Sequence, residues 1–285
     1  MAKLTKQQVK DHETACDLLM KDALTLEDKD FIFTHWHEGA TNMNGKAGAF
    51  FTPLAMAFDM AFDISGKRVI DLCAGIGVLS YAVQIRAVHG YADGQAPEIV
   101  CVEKNPEYVE VGKKLVPEAI WICGDVTDPV LMASLGHFDC AYGNPPFGTI
   151  KGSTKAPRSS SADFEYKVMD IASDLADTGT FIIPQHSASF RYSGQRQHSD
   201  GNTEKSDRFT AQTGITMDCG IGVDTAYHLD DWKDVKPLCE IVCCDFEEAR
   251  AARQPRPAAP RPAPLQTPAP MTAEPEQLSF LIDAA

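Results

Sequence analysis

The chain has 285 residues, 44% of them hydrophobic and 23% charged, with a formal net charge of −14. These proportions are ordinary for a globular protein with a sizeable core in one large or two small domains. The acidity, with a pI near 4.9, excludes a general nucleic-acid coat, though an enzyme with one local basic face remains possible. No apolar run approaches the roughly 20 residues of a spanning helix. The opening MAKLTKQQVK carries no apolar signal segment. The expectation is a soluble, cytoplasmic protein without a membrane partner.

Residues 1–44 read as an N-terminal helical segment, with Val9, Ala15, Leu18, Leu19 and Leu24 in a loose stripe. The run Thr34-His35-Trp36-His37-Glu38 invites a metal reading. Alternate positions on a helix point apart, so a structural or substrate-contacting role is expected instead. Asn44 and Lys46 fit a cofactor cleft or a simple loop equally well.

From 45 to 250 the pattern changes. RVIDLCAG, EIVCVEKN, AIWICGDV and FDCAYGNPP are short apolar runs ending in polar or glycine-rich residues. Helix-length segments such as GVLSYAVQIRAV and PEYVEVGKKLV separate them. Strand and helix in alternation predict an α/β doubly wound, mostly parallel sheet, here of seven strands, with ligands at the carboxyl ends. FEYKVMDIASDLADTG reads as a helix closed by Gly179, TFIIP as the next strand, and GVDTAYHL and CEIVCCDF as the last two. The loop 149–163 is rich in Ser, Gly and Lys, and the polar stretch 187–214 carries Arg191, Arg196, Lys205 and Arg208. Residues 251–285 read as a disordered Pro/Ala-rich tail ending in a short apolar peptide.

The nine cysteines are odd in number and mostly lie in or beside apolar stretches, as reduced thiols do. Cys219, Cys239, Cys243 and Cys244 lack paired CxxC spacing, so no metal site is expected.

Four clusters fall at successive strand ends. In Asp71-Leu72-Cys73-Ala74-Gly75-Ile76-Gly77, the glycines permit a tight strand-to-helix turn and close ligand approach. Ser80 stands where a dinucleotide fingerprint would have a third glycine, which disfavours a nicotinamide enzyme. Glu103 ends the second strand, where a ribose diol is held in such folds, or is a solvated surface residue. Asp125, followed by Val126, either accepts from an adenine amine or caps the helix DPVLMASL. In CAYGNPPFG two prolines end the strand and hold the Asn144 amide and the Phe147 ring rigidly.

Together these clusters resemble the S-adenosylmethionine-dependent methyltransferases, and Asn144-Pro145-Pro146-Phe147 resembles the motif of their amino-methylating branch. Upstream, GAFFTP (Gly48 to Pro53) is similar to the cofactor motif of DNA adenine-N6 methyltransferases in the gamma arrangement. The resemblance covers residues 45–185. It implies the class I methyltransferase fold with S-adenosylmethionine as cofactor. The cofactor-binding set would be Phe51, Thr52, Pro53, Asp71, Ala74, Gly75, Gly77, Glu103, Asp125, Val126 and Asn144. It also implies methylation of adenine N6 in DNA, with Asn144, Pro145, Pro146 and Phe147 as catalytic residues. Structured RNA, a protein amide, or a catalytically idle binding module are the alternatives. About sixty residues separate Pro184 from the last strand, too few for a full recognition domain. Substrate contact therefore falls to the loops, with Lys151, Lys155, Arg158, Arg191 and Arg196 as candidates, or to the N-terminal segment. The terminal Gln277 to Leu281, QLSFL, resembles peptides that dock on the bacterial sliding clamp, with Phe280 and Leu281 in swapped order. A frayed terminus is the other reading.

Overall fold

The structure, a computed structural model, describes residues 4–37, 50–88, 96–233 and 236–253. Glu38, Asn44, Lys46, the Gly48-Ala49 start of GAFFTP, and the tail from 254 with Gln277–Leu281 lie outside the described residues.

Capping decides where the first helices begin. Thr5 and Gln8 satisfy each other's backbone at the start of α1 (Lys6–Leu19), and Thr25 and Asp28 do the same for α2 (Leu26–His35). The chain then alternates as the sequence predicts. α3 (Leu54–Met60) precedes β1 (Arg68–Leu72), and α4 (Val78–Arg86) leads to β2 (Glu98–Glu103). α5 (Pro106–Leu115), β3 (Ile120–Cys123), α6 (Pro129–Ser134) and β4 (Phe138–Gly143) follow. α7 (Phe164–Ala172) then connects to β5 (Ala176–Pro184). The sheet order is β3-β2-β1-β4-β5, all parallel. A sixth strand completes it after a small antiparallel ribbon of β6 (Phe190–Arg191) with β7 (Ser199–Asp200) and the helix α8 (Glu204–Thr213). β8 (Cys239–Asp245) runs antiparallel to β5 and leads into α9 (Phe246–Ala252).

Side chains on β1 alternate between the two faces, as pleating requires. Val69 joins a core with Ala15, Ile32, Trp36 and Tyr142, while Ile70 and Leu72 join one with Phe164, Phe181 and Phe246. The helices α1 and α2 thus share the first core with the sheet.

Three expectations are corrected. The described sheet has six strands, not seven, because GVDTAYHL forms a short 3-10 turn, Thr225–His228. Asp224 caps that turn by accepting from Ala226 N, and Thr225 Oγ1 donates to the Cys239 carbonyl. Gly179 does not close a helix. It sits inside β5, paired with Ala141 on one side and Cys244 on the other. The polar stretch 187–214 is not loop throughout, since it contains β6, β7 and α8. No described helix is long and apolar enough to cross a membrane.

Candidate active site

The carboxyl ends of β1, β2, β3 and β4 surround a cavity of about 410 Å³. Its wall is built from the turns that leave those strands. After β1 the chain passes through Cys73, at φ 68°, and Gly75, at φ 58°. Cys73 N and Ala74 N both donate to the Val102 carbonyl, which fastens this turn to β2. Gly75 N donates to Glu103 Oε2 at 2.9 Å, and Asn105 N donates to Oε1 at 2.7 Å. One carboxylate therefore bridges the turns after β1 and β2. A Cβ on Gly75 would stand 3.1 Å from the Phe51 ring, so the missing side chain lets that ring close the wall.

Asp125 occupies the end of β3. Its Oδ1 accepts from Thr127 N and Thr127 Oγ1, both at 2.8 Å, and its Oδ2 accepts from Lys104 Nζ at 2.8 Å. It is not the cap of α6, a role that Asp128 performs. Burial works to raise the Asp125 carboxyl, yet the Lys104 ammonium and the Thr127 donors outweigh it and hold the group below the usual range. At Glu103 burial prevails over the backbone donors and raises the carboxyl. Burial also pushes the Cys73 thiol well up, with the carboxylates of Glu103, Asp71 and Asp125 adding to it, which favours the thiol over the thiolate.

Asn144 stands at the end of β4, where Gly143 makes the approach possible. A Cβ at 143 would lie 2.2 Å from the Leu72 carbonyl oxygen. Asn144 Nδ2 donates to the Phe50 carbonyl at 2.9 Å and to Thr52 Oγ1 at 3.0 Å. A backbone carbonyl only accepts, so it fixes which end of the amide faces it. Among the described residues Oδ1 has no hydrogen-bond partner, on a side chain that lines the cavity.

Of the residues proposed from sequence, Phe51, Gly75, Glu103, Asp125, Val126, Asn144 and Pro146 line this cavity. Others stand behind it. Asp71 is fully buried under the turn, bonded to Ser80 Oγ at 2.7 Å. Ala74 packs in the first core, and Gly77 starts α4 against Trp121. Thr52 is buried and its Oγ1 accepts from Asn144 Nδ2, and Pro53 starts α3. Pro145 is buried, and Phe147 packs against the first core with its ring 6.3 Å from that of Phe50.

The cationic candidates divide similarly. Lys151, Lys155 and Arg196 are exposed. Arg158 is tied down: Nη1 pairs with the buried Asp170 at 2.8 Å and Nη2 with Asp174. Arg191 Nη1 donates to the carbonyls of Gln185, Ala188 and Phe190. Both guanidinium groups are thus already engaged within the protein.

Residues that sequence reasoning passed over complete the wall. Lys104, Asn105, Pro106 and Tyr108 follow Glu103 directly, and Ile150, Ser153 and Phe164 follow Phe147. Adjacency to the strand-end clusters was the available signal for the first group. Lys167, buried on α7, donates to Ser153 Oγ at 2.8 Å and brings the second group over the cavity.

All nine cysteines are free thiols. Among the described residues no group of three His, Cys, Asp or Glu gathers as a metal site. His37 N donates to His12 Nδ1 at 3.0 Å, and Trp36 packs its indole 5.7 Å from the Tyr108 ring and 5.8 Å from Phe51.

Sheet order, antiparallel sixth strand and strand-end cavity define the fold of the class I S-adenosylmethionine-dependent methyltransferases. In particular, the chain is similar to a Listeria monocytogenes protein proposed to be such an enzyme. That match has a TM-score of 0.51 and 10% identity over 82% of this chain and 79% of that one. It is also similar to a type I restriction-modification methyltransferase subunit from Streptococcus thermophilus. There the TM-score is 0.48 and the identity 13%, over 78% of this chain and only half (50%) of that one. A third similarity is to a proposed RNA methyltransferase from Pyrococcus horikoshii, at TM-score 0.44 and 18% identity over 83% and 98% of the two chains. No protein-family model and no curated protein sequence matches the chain.

Proposed function

We propose that this chain transfers a methyl group from S-adenosylmethionine to the N6 amine of adenine in DNA. The observation that carries the reading is the Asn144 amide, locked by Phe50 and Thr52 on the wall of a cavity it shares with Glu103 and Asp125. The cavity suits the cofactor. Its volume of about 410 Å³ falls in the ~300–1,000 Å³ range of small-molecule sites. Two carboxyl groups against one ammonium, Lys104, favour a cationic guest, and Phe50, Phe51 and Tyr108 supply flat apolar surface. Glu103 would hold the ribose, Asp125 and Val126 the adenine ring, and Gly75 with Phe51 the amino-acid end. Bound there, the cofactor supplies an electrophilic methyl group on a sulfonium.

An exocyclic adenine amine is a weak nucleophile because its lone pair is delocalised into the ring. Asn144 Oδ1 would accept from one of its N–H groups and the Pro145 carbonyl from the other, returning electron density to nitrogen. Both acceptors are immobile: Pro145 and Pro146 restrict the backbone, and the amide cannot turn while the Phe50 carbonyl faces Nδ2. Phe147 offers a ring for the base to stack on, a contact of about 1–3 kcal/mol. In duplex DNA the adenine would have to leave the stack to reach this pocket. An amide is no general base, so the proton passes to solvent.

The test is incubation of the full chain with methyl-labelled cofactor and unmethylated duplex DNA, followed by nucleoside analysis. Label in N6-methyladenine is the expected result. Label in total RNA alone would replace DNA as substrate, and label in neither would overturn the reading. Asn144→Ala should lower transfer by about 10²–10³-fold, with cofactor binding close to wild type by calorimetry.

A further inference from the structure

A smaller cavity, of about 140 Å³, lies between the serines 159–161 and α8. One step of chain separates it from the large cavity, since Asp163 lines the small one and Phe164 the large one. Phe164 N donates to the Gly148 carbonyl at 2.7 Å, and Thr149 pairs with Asp163. The small cavity therefore borders the segment that follows Asn144-Pro145-Pro146-Phe147.

Its walls are fixed before any ligand arrives. The fully buried Asp170 carboxylate accepts from Arg158 N at 2.7 Å and Ser159 N at 2.8 Å. On the other side Gln212 Oε1 accepts from Ser160 N at 2.8 Å, and its Nε2 donates to Ser160 Oγ at 2.9 Å. Phe209 lines the cavity too, buried and stacked 4.5 Å from Tyr166.

Two cations line this space from adjacent turns of α8, Lys205 and Arg208. Each already has an acidic neighbour: Lys205 Nζ lies 2.7 Å from Asp163 Oδ2, and Arg208 Nη2 lies 2.5 Å from Glu204 Oε1. Both cations are still more than half exposed, at 55% and 53%. The Arg208–Glu204 pair is exposed on both sides and such pairs are worth about 0–1 kcal/mol, so a stronger anion can take over that cation. Asp163 is itself buried and lines the cavity, and the Lys205 side chain paired with it keeps its exposed part toward solvent. Hydroxyl donors opposite two cations, in a chain of net charge −14, suit a phosphodiester.

We propose that this cavity binds one backbone phosphate of a nucleic-acid substrate beside the target nucleotide. Lys205 and Arg208 contact its oxygens and the loop serines donate to it. The proposal rests on the nucleic-acid reading above and makes α8 the element that places the strand.

The experiment is anisotropy titration of the full chain with labelled DNA duplex and, separately, RNA of the same sequence, between about 50 and 200 mM salt. The variants are Lys205→Ala/Arg208→Ala and Arg208→Glu, with Lys113→Ala/Lys114→Ala on α5 as a charge-matched control. The pocket variants should bind at least ten-fold more weakly than wild type. Their salt slope should be shallower by about one, the signature of one lost phosphate. The control should change binding less than two-fold, and Arg208→Lys should retain most of it, which also shows that α8 is intact. Unchanged affinity and slope in the pocket variants, or no binding of either nucleic acid by wild type, would overturn the proposal. If wild type binds through this pocket but transfers no methyl, the phosphate site stands and the methylation reading falls. If it methylates DNA and the pocket variants bind normally, the reverse holds.

Discussion

Asp71 has no exposed surface; its Oδ2 accepts from Ser80 Oγ at 2.7 Å, and its Oδ1 has no partner among the described residues. Ser80 Oγ also lies 3.0 Å from Tyr142 OH and 3.2 Å from Cys101 Sγ. Burial pushes the Asp71 carboxyl up to about 7; the Ser80 bond pulls it back and Glu103 adds to the rise. The folded chain thus holds a proton that the unfolded chain releases near pH 4. This stability is complete below about pH 4 and is lost as pH rises to about 7, an effect on the order of 4 kcal/mol. Asp71→Asn, which cannot titrate, should show a smaller loss of unfolding free energy between pH 4.5 and 7.5 than wild type, measured by urea denaturation. An equal loss in both would refute the assignment. At this scale the sequence reveals residue type and position but not facing. Asp71 and Glu103 both sit at strand ends, yet pleating sends the first into the core and the second to the cavity wall. Gly75 announces itself in the sequence by its place in a glycine-rich turn, whereas the need for Gly143 shows only in the Leu72 carbonyl across the sheet.

The element that organises the chain after Asn144 is α7, all nine of whose residues are buried. Three polar groups on it point at the chain after Phe147. Glu165 accepts from Gly148 N at 2.9 Å and Ser187 Oγ at 2.8 Å, Lys167 donates to Ser153, and Asp170 holds Arg158 and Ser159. Glu165→Ala would strand two donors, so a loss of about 2–4 kcal/mol in unfolding free energy is expected. Methyl transfer should fall more than cofactor binding does, because Gly148 directly follows the Asn144 motif. A neutral effect on both would show that the loop holds itself. The helix itself was legible in FEYKVMDIA from its apolar spacing, but its buried charges were not, since their partners lie in a loop that wraps over it. The same limit explains Arg158, which reads as a free loop cation until Asp170, twelve positions on, is seen beneath it.

For the whole molecule, the alternation of apolar runs and helical segments made the five parallel strands and the strand-end site readable. Where the N-terminal helices dock was not readable, because a stripe of apolar residues does not name its partner. Trp36 answers it: its indole meets Phe51 and Tyr108, two residues of the cavity wall, while Ala15, Ile32 and Phe33 join the sheet's first core. Trp36→Ala should therefore destabilise the whole described unit by about 3–5 kcal/mol in a single transition, and also weaken S-adenosylmethionine binding. Separate unfolding of the N-terminal helices, with cofactor affinity unchanged, would contradict this.

The Glu103 carboxylate, clamped between Gly75 N and Asn105 N, has a thermodynamic consequence. Two turns that would otherwise have to be immobilised by an incoming guest are already stapled together. Little conformational entropy remains to be surrendered on association, so contact energy passes to affinity with small loss. Cutting that staple would convert a rigid receptacle into one that must be ordered by whatever enters it.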